Sequence, residues 1–244
     1  MARFFVPASH WESAELPESE ARHAAQVLRM ASGDKAVIFD GAGRAAEIEL
    51  TEVGKKRVSF RVLREWREDR PQPDIHLIVA LIKNERFDWL VQKATELGAA
   101  SIRPVAAERS VVKLGGKDAE KRRGKWEQIA VEAAKQCGHL VLPDIFPVAL
   151  PREAFGSAPD GLKGIPALHL DGVALGQFFG NETNNVTFAI GPEGDWTGEE
   201  LASAADCGFV PLHLGKHVLR SETAALHVLS AAAHHYHGGV GGQR

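Results

Sequence analysis

Two glycine-bearing segments in the last third of the chain place charged side chains where an open α/β sheet holds its ligands. Ile190-Gly191-Pro192-Glu193-Gly194-Asp195-Trp196 follows the apolar run Val186 to Ile190 and precedes Thr197-Gly198-Glu199-Glu200. The latter is a capping-box sequence that opens a helix. Glycines between a strand and a helix let backbone amides and carbonyls reach a ligand without a side chain in the way. Leu214-Gly215-Lys216-His217-Val218-Leu219-Arg220-Ser221-Glu222-Thr223-Ala224 follows a second apolar run and enters the last helix. Its Arg220 brings a permanently charged guanidinium and its Glu222 a carboxylate to a helix start. Spacing alone leaves plainer readings open. The first segment also reads as a Gly-Pro connector. In the second, Ser221 reads as an N-cap, Glu222 as a partner of the helix dipole, and Arg220 as a surface ion-pair member.

Other candidates carry less. Gly41-Ala42-Gly43-Arg44-Ala45-Ala46 fits a dinucleotide fingerprint. That motif requires a helix after the glycines, whereas Ala46, Ile48 and Leu50 alternate with Glu47, Glu49 and Thr51 as in a strand, so the glycines read as a turn. His234, His235 and His237 have no further ligands spaced with them, and no metal site is expected. Cys137 and Cys207 form neither a metal spacing nor a disulfide framework. The formal net charge is −3, so bulk positive charge does not drive binding to nucleic acid. A local patch remains, with eight basic and three acidic residues between Arg103 and Lys125. Taken alone, it reads more readily as a solvated loop and helix face.

These residues need elements to hold them. Residues 36 to 63 have the two-residue period of half-buried strands, with tight turns at Asp40-Gly41-Ala42-Gly43 and Gly54-Lys55-Lys56. Glu18 to Met30 reads as a helix stopped by Gly33, and together these make a small β-barrel with one helix. Pro71-Gln72-Pro73 breaks the pattern and predicts a boundary, giving domains of 1–72 and 73–244. Beyond it, strands expected at 75–81, 101–106, 166–170, 186–190 and 209–214 alternate with helices. Those helices are 85–97 capped by Gly98, one ending at Cys137-Gly138, one from Thr197 to Gly208, and one from Ser221. That order predicts an α/β fold with a parallel sheet covered on both faces. No run of 18 apolar residues and no apolar leader core occurs, so neither a membrane span nor a secretory signal is expected.

Taken together, the segments resemble the SPOUT-class methyltransferases that modify N3 of a uridine in bacterial small-subunit ribosomal RNA. Arg22-His23 with Val27-Leu28-Arg29-Met30, then Phe39-Asp40-Gly41, look like that family's PUA-like RNA-binding domain. Gln92-Lys93-Ala94-Thr95-Glu96-Leu97-Gly98, Glu108-Arg109-Ser110 and Gln136-Cys137-Gly138 match as well. Ile190 to Gly194 and Leu219 to Ala224 are the most specific pair. The resemblance implies a trefoil-knotted parallel sheet behind the small barrel, a homodimer, a cytoplasmic enzyme and S-adenosylmethionine as methyl donor. It implies a cofactor site at Leu170, Ile190, Gly191, Pro192, Glu193, Gly194, His213, Leu214, Gly215, Val218, Leu219, Arg220, Thr223 and Ala224, with Arg220 and Glu222 in the chemistry. Glu222 or Glu193 would take the proton or orient Arg220. For an RNA enzyme, Arg22, Arg29, Lys55, Lys56 and Arg57 on the barrel, with Arg109, Lys113, Arg122 and Arg123 from the basic stretch, would hold 16S ribosomal RNA. The chain departs from the family pattern at four places. Lys135 and His139 stand where Glu and Arg flank Gln-Cys-Gly, Asp195 stands where a second glycine ends the loop, and His217 stands where an arginine precedes Val218. Three alternatives stay open: a SPOUT enzyme for a ribose 2′-oxygen or a tRNA base, a catalytically silent RNA-binding homologue, and an unrelated α/β nucleotide-binding enzyme.

Overall fold

In the N-terminal region the expected two-residue period builds a sheet. The computed structural model describes residues 1–180 and 183–238. Strands β1 (Ala2–Phe5), β2 (Lys35–Phe39), β3 (Arg44–Val53) and β4 (Val58–Arg67) pair in the order β1-β2-β3-β4. The first pair is parallel and the others are antiparallel. Ala46, Ile48 and Leu50 face inward and pack with Phe4, Ile38 and Phe60. Ala14 and Leu16 bond along the outer edge of β4. The glycine pair before β3 serves the turn. Gly43 has φ +95° and a Cβ there would lie 2.4 Å from the Glu68 carbonyl oxygen, so only glycine fits. The helix is shorter than its sequence suggests. Helix α1 (Glu18–Arg22) widens into a π turn over His23–Val27 and stops at Leu28. Arg29 takes φ +54°, and Met30 N–H bonds the Ala24 carbonyl at 3.0 Å. That left-handed closure satisfies the end carbonyls, so Gly33 is not the stop.

These strands belong to a unit formed by Met1–Arg70 together with Val131–Leu142. Ala134 and Leu140 from the second segment pack on Phe39 and Ala45. Lys135 Nζ reaches both carboxylate oxygens of Glu20, at 3.0 and 3.1 Å, with each side chain only 9% exposed.

The second unit is Pro71–Ala130 with the chain from Pro143 onward. Its strands are β5 (Asp74–Ala80), β6 (Ser101–Val105), β7 (Asp144–Ile145), β8 (Leu162–Pro166), β9 (Val173–Ala174), β10 (Asn185–Ile190) and β11 (Val210–His213). They form one sheet in the order β7-β6-β5-β10-β8-β11-β9, and every pairing is parallel. Helices α2 (Asn84–Glu96), α3 (Gly116–Cys137) and α7 (Ser221–His237) contribute Phe87, Leu90, Trp126, Val228 and Leu229 to one core with Leu77, Val79 and Phe188. Helices α4 (Pro151–Gly156) and α6 (Gly198–Asp206) contribute Phe155 and Ala204 to a second core with Ile78, Ala189 and Phe209. The short α5 spans Leu175–Phe178. The sheet is thus covered on both faces, as expected. One strand is displaced: the run expected at 166–170 is a strand only up to Pro166. It starts earlier because Gly164, with Leu212 Cδ1 2.4 Å from where its Cβ would be, fits the tight approach of β11. Residues 167–172 are released as a loop. No described helix is long and apolar enough to cross a membrane.

Candidate active site

The carboxyl ends of β10, β8 and β11 are neighbours, because β8 lies between the other two. Their three following loops therefore meet where parallel sheets hold ligands. They enclose a cavity of about 270 Å³, close to the lower end of small-molecule sites, roughly 300–1,000 Å³. The first loop supplies Pro166, Ala167, Leu168 and Leu170. The second supplies Ile190, Gly191, Pro192, Glu193 and Asp195. The third supplies Leu212 to Leu219, and α7 adds Ser221 and Ala224. Most residues expected at the cofactor site are walls of this one space. Gly194, Arg220 and Thr223 are not: all three are exposed, outside the lining.

Local contacts explain the loop shapes. A Cβ on Gly191 would lie 3.0 Å from Trp196 Nε1, so the glycine lets the chain cross close over a buried indole. Gly194 rests on Arg109, whose Nη1 donates to the Gly194 carbonyl at 3.0 Å and the Trp196 carbonyl at 3.4 Å. Asp195 takes φ +60° and is 8% exposed. Its Oδ2 accepts from Leu168 N–H at 3.0 Å and its Oδ1 from Trp196 N–H at 2.9 Å. Thr197 caps α6 as the sequence predicts, with Glu200 returning the bond.

The charged groups are arranged differently from expectation. Glu193 and Glu222 pair with Arg86 at the start of α2, not with Arg220: Nη1 lies 3.5 Å from Glu193 Oε1 and Nε lies 3.7 Å from Glu222 Oε1. Glu222 is 8% exposed and its Oε2 has no hydrogen-bond partner. Arg86 was not among the sequence candidates. The signal that could have found it is its place in the first turn of a helix following β5, the strand paired with β10. Arg220 is the N-cap residue of α7 but its side chain makes no capping bond.

The expected RNA-holding cations separate into two groups. Arg22 pairs with Glu18, Arg57 with Glu15, Arg123 with Glu127 at 3.0 Å, and Arg122 with Asp88 at 3.9 Å. Lys113 bonds the carbonyls of Ala107 and Glu108. Arg29, Lys55 and Lys56 are exposed and have no side-chain partner among the described residues. They lie at one end of the first unit, where Gln26 Nε2 donates to the Lys55 carbonyl at 3.4 Å. Exposed Val27 and Leu28 adjoin them. Outside this site, His237 Nε2 sits 3.1 Å from the Pro73 carbonyl oxygen and His235 stacks on Phe179.

Residues 68–233 match the model of the RNA methyltransferase domain. Residues 16–63 match that of the RNA methyltransferase PUA domain. This chain belongs to the RNA methyltransferase family. The ribosomal RNA small subunit methyltransferase E of Bacillus subtilis is 31% identical over 96% of this chain and 96% of its own length. The protein of that name from Mycobacterium bovis is 31% identical over 87% of this chain and 82% of its own. The crystal structure of the Neisseria gonorrhoeae ribosomal RNA small subunit methyltransferase E, bound to S-adenosylmethionine, superposes with a TM-score of 0.87 at 33% identity, covering 97% of this chain and 98% of that one. This RNA methyltransferase thus has the PUA-like first domain and the parallel sheet that the resemblance implies.

Proposed function

We propose that this chain transfers the methyl group of S-adenosylmethionine to N3 of a specific uridine in bacterial 16S ribosomal RNA. The observation that carries the reading is a cavity built from the loops that follow β8, β10 and β11, in a chain similar over nearly its whole length to proteins named as methyltransferases of small-subunit ribosomal RNA. The cavity suits the donor chemically. Leu170, Ile190, Leu212, Leu214, Leu219 and Ala224 give apolar walls for an adenine, and Glu193 offers a carboxylate to a cation. The donor supplies an electrophilic methyl on a sulfonium. The protein's part is to align the uridine N3, to offset negative charge on the uracil oxygens and to receive the N3 proton. Arg220, exposed beside the third loop, takes the second role; Glu222 or Glu193 takes the proton. Glu193 lies in the cavity wall. Glu222 brings an oxygen that no other group occupies.

Within the same reading, residues 1–72 are the RNA-holding domain and 73–244 the methyl-transfer domain. The C-terminal part of the sheet carries the knot, and the enzyme works as a cytoplasmic homodimer. The test of function is to map methylated uridines in 16S RNA from cells with and without this chain. A site lost on deletion and restored by purified protein with S-adenosylmethionine supports N3 transfer. An unchanged map, or a methyl on a ribose or a tRNA, rejects it.

RNA binding on the first unit makes a separate prediction. Arg29, Lys55 and Lys56 are the cations left to meet phosphate. Changing Lys55 and Lys56 together to alanine should weaken RNA binding and flatten its salt dependence, by roughly 0.7–0.9 in the log–log slope for each phosphate no longer neutralised. A slope equal to that of the unaltered protein in filter-binding titrations would remove this pair from the interface.

A further inference from the structure

We propose that Asp195 is a positioning residue for the methyl-donor cavity, tying the glycine loop to the 167–172 loop and so fixing two of the three walls against each other. This rests on the reading of the cavity given under the proposed function.

The turn itself needs only a residue that tolerates a left-handed backbone. Asp195 N–H closes it on the Pro192 carbonyl at 3.0 Å, with φ +60°. Glycine meets that need without strain. An L side chain at this φ is strained, aspartate less than most. The side chain must therefore add something the turn does not require. Both carboxylate oxygens are in use. One accepts from Trp196 N–H at 2.9 Å, the next residue of the same loop. The other crosses to Leu168 N–H at 3.0 Å, twenty-seven residues away in sequence and beyond the end of β8. Leu168 and Asp195 both line the cavity, and Asp195 is 8% exposed. The bonds are charge-assisted, and burial keeps water from competing for them. The 167–172 loop otherwise has few anchors. Leu168 and Leu170 are exposed, and the strand that leads into it ends at Pro166. Releasing the tie frees one wall of the cavity, and a ligand must then order that wall as it binds.

Strain and tether give substitutions effects of opposite sign, which a merely structural role would not produce. Asp195→Gly relieves the backbone and cuts the tether. Without ligand the relieved strain and the lost bonds oppose each other, so its unfolding temperature should move little, while S-adenosylmethionine binds roughly tenfold more weakly, the scale of one lost charge-assisted bond. Asp195→Asn tolerates the backbone and keeps one acceptor oxygen, so its affinity should fall between the two. Calorimetric titration with S-adenosylmethionine and thermal unfolding without it, on all three full-length proteins, read both quantities. Asp195→Gly binding as tightly as the unaltered protein overturns the proposal. So does a parallel loss of stability and affinity in both variants, which would mark a general structural role. Failure of the unaltered protein to bind S-adenosylmethionine rejects the methyl-donor reading itself, a result that the first arm reports before any variant is made.

Discussion

Arg220→Ala is expected to lower single-turnover methyl transfer by about 10²–10³-fold, the usual cost of losing one group that stabilises developing charge, while S-adenosylmethionine binds almost as before. The side chain is exposed, lies outside the cavity lining and makes no capping bond to α7. The Arg220 side chain caps nothing and stands in solvent among the described residues, so its loss should exact little stability cost. Its worth comes only when a uracil is present and its oxygens gain charge as the N3 proton leaves. Arg220→Lys should recover only part of the rate, because an ammonium cannot span two oxygens as a guanidinium does. Glu222 presents the contrasting case. It is buried and shares Arg86 with Glu193. A substitution there would disturb two loops at once, so its kinetic effect would mix chemistry with positioning. Arg220 is therefore the cleaner probe. Single-turnover transfer by Arg220→Ala at the rate of the unaltered protein would remove this residue from the reaction and leave the cavity as a binding site only.

Much of this site was legible in the sequence because loops at strand ends are written locally. A glycine between an apolar run and a capping box marks where the backbone turns sharply, and Gly191 and Thr197 do this in the structure. The helix ends at Gly98, Gly138 and Gly208 were readable for the same reason, each taking positive φ. What escaped was set by contacts across long separations. Arg86 is an ordinary helix-start arginine until β5 is placed beside β10. Arg109 reads as one cation in a basic stretch until its guanidinium is seen on the Gly194 and Trp196 carbonyls. The strand expected at 166–170 failed because Leu168 and Leu170 look like core residues by type, whereas their loop faces the cavity. β1 escaped because a four-residue run next to the N-terminus carries no period. Nor does local pattern bring 131–142 to the first unit, since that needs Ala134 and Leu140 to meet Phe39 and Ala45.

Lys135→Met is expected to destabilise the protein at neutral pH, by up to about 3–5 kcal/mol, the range for removing one partner of a buried ion pair. Lys135 meets Glu20, with both side chains 9% exposed. Burial raises the Glu20 pKa above its ordinary 4.5, and the Lys135 hydrogen bond and charge only partly offset that. The sign follows. A carboxyl whose pKa is higher folded than unfolded contributes stability that is fully present below 4.5 and is lost as pH rises through the folded value. Removing Lys135 takes away the two largest lowering influences, moves that value further up and widens the window. The variant's deficit should thus be small near pH 4.5 and grow toward pH 7, where Glu20 must either stay charged and unpaired or bind a proton. Proton uptake also caps the loss, so the upper end of the range applies only if the carboxyl remains ionised. Adding Glu20→Gln to Lys135→Met should restore most of the stability, because the amide is buried at far lower cost than a carboxylate. Urea unfolding of the three proteins at both pH values measures this. A deficit that does not change with pH and is not relieved by Glu20→Gln would mean that Lys135 acts through packing of the 131–142 segment, and the ion pair would lose its role in holding that segment to the first unit.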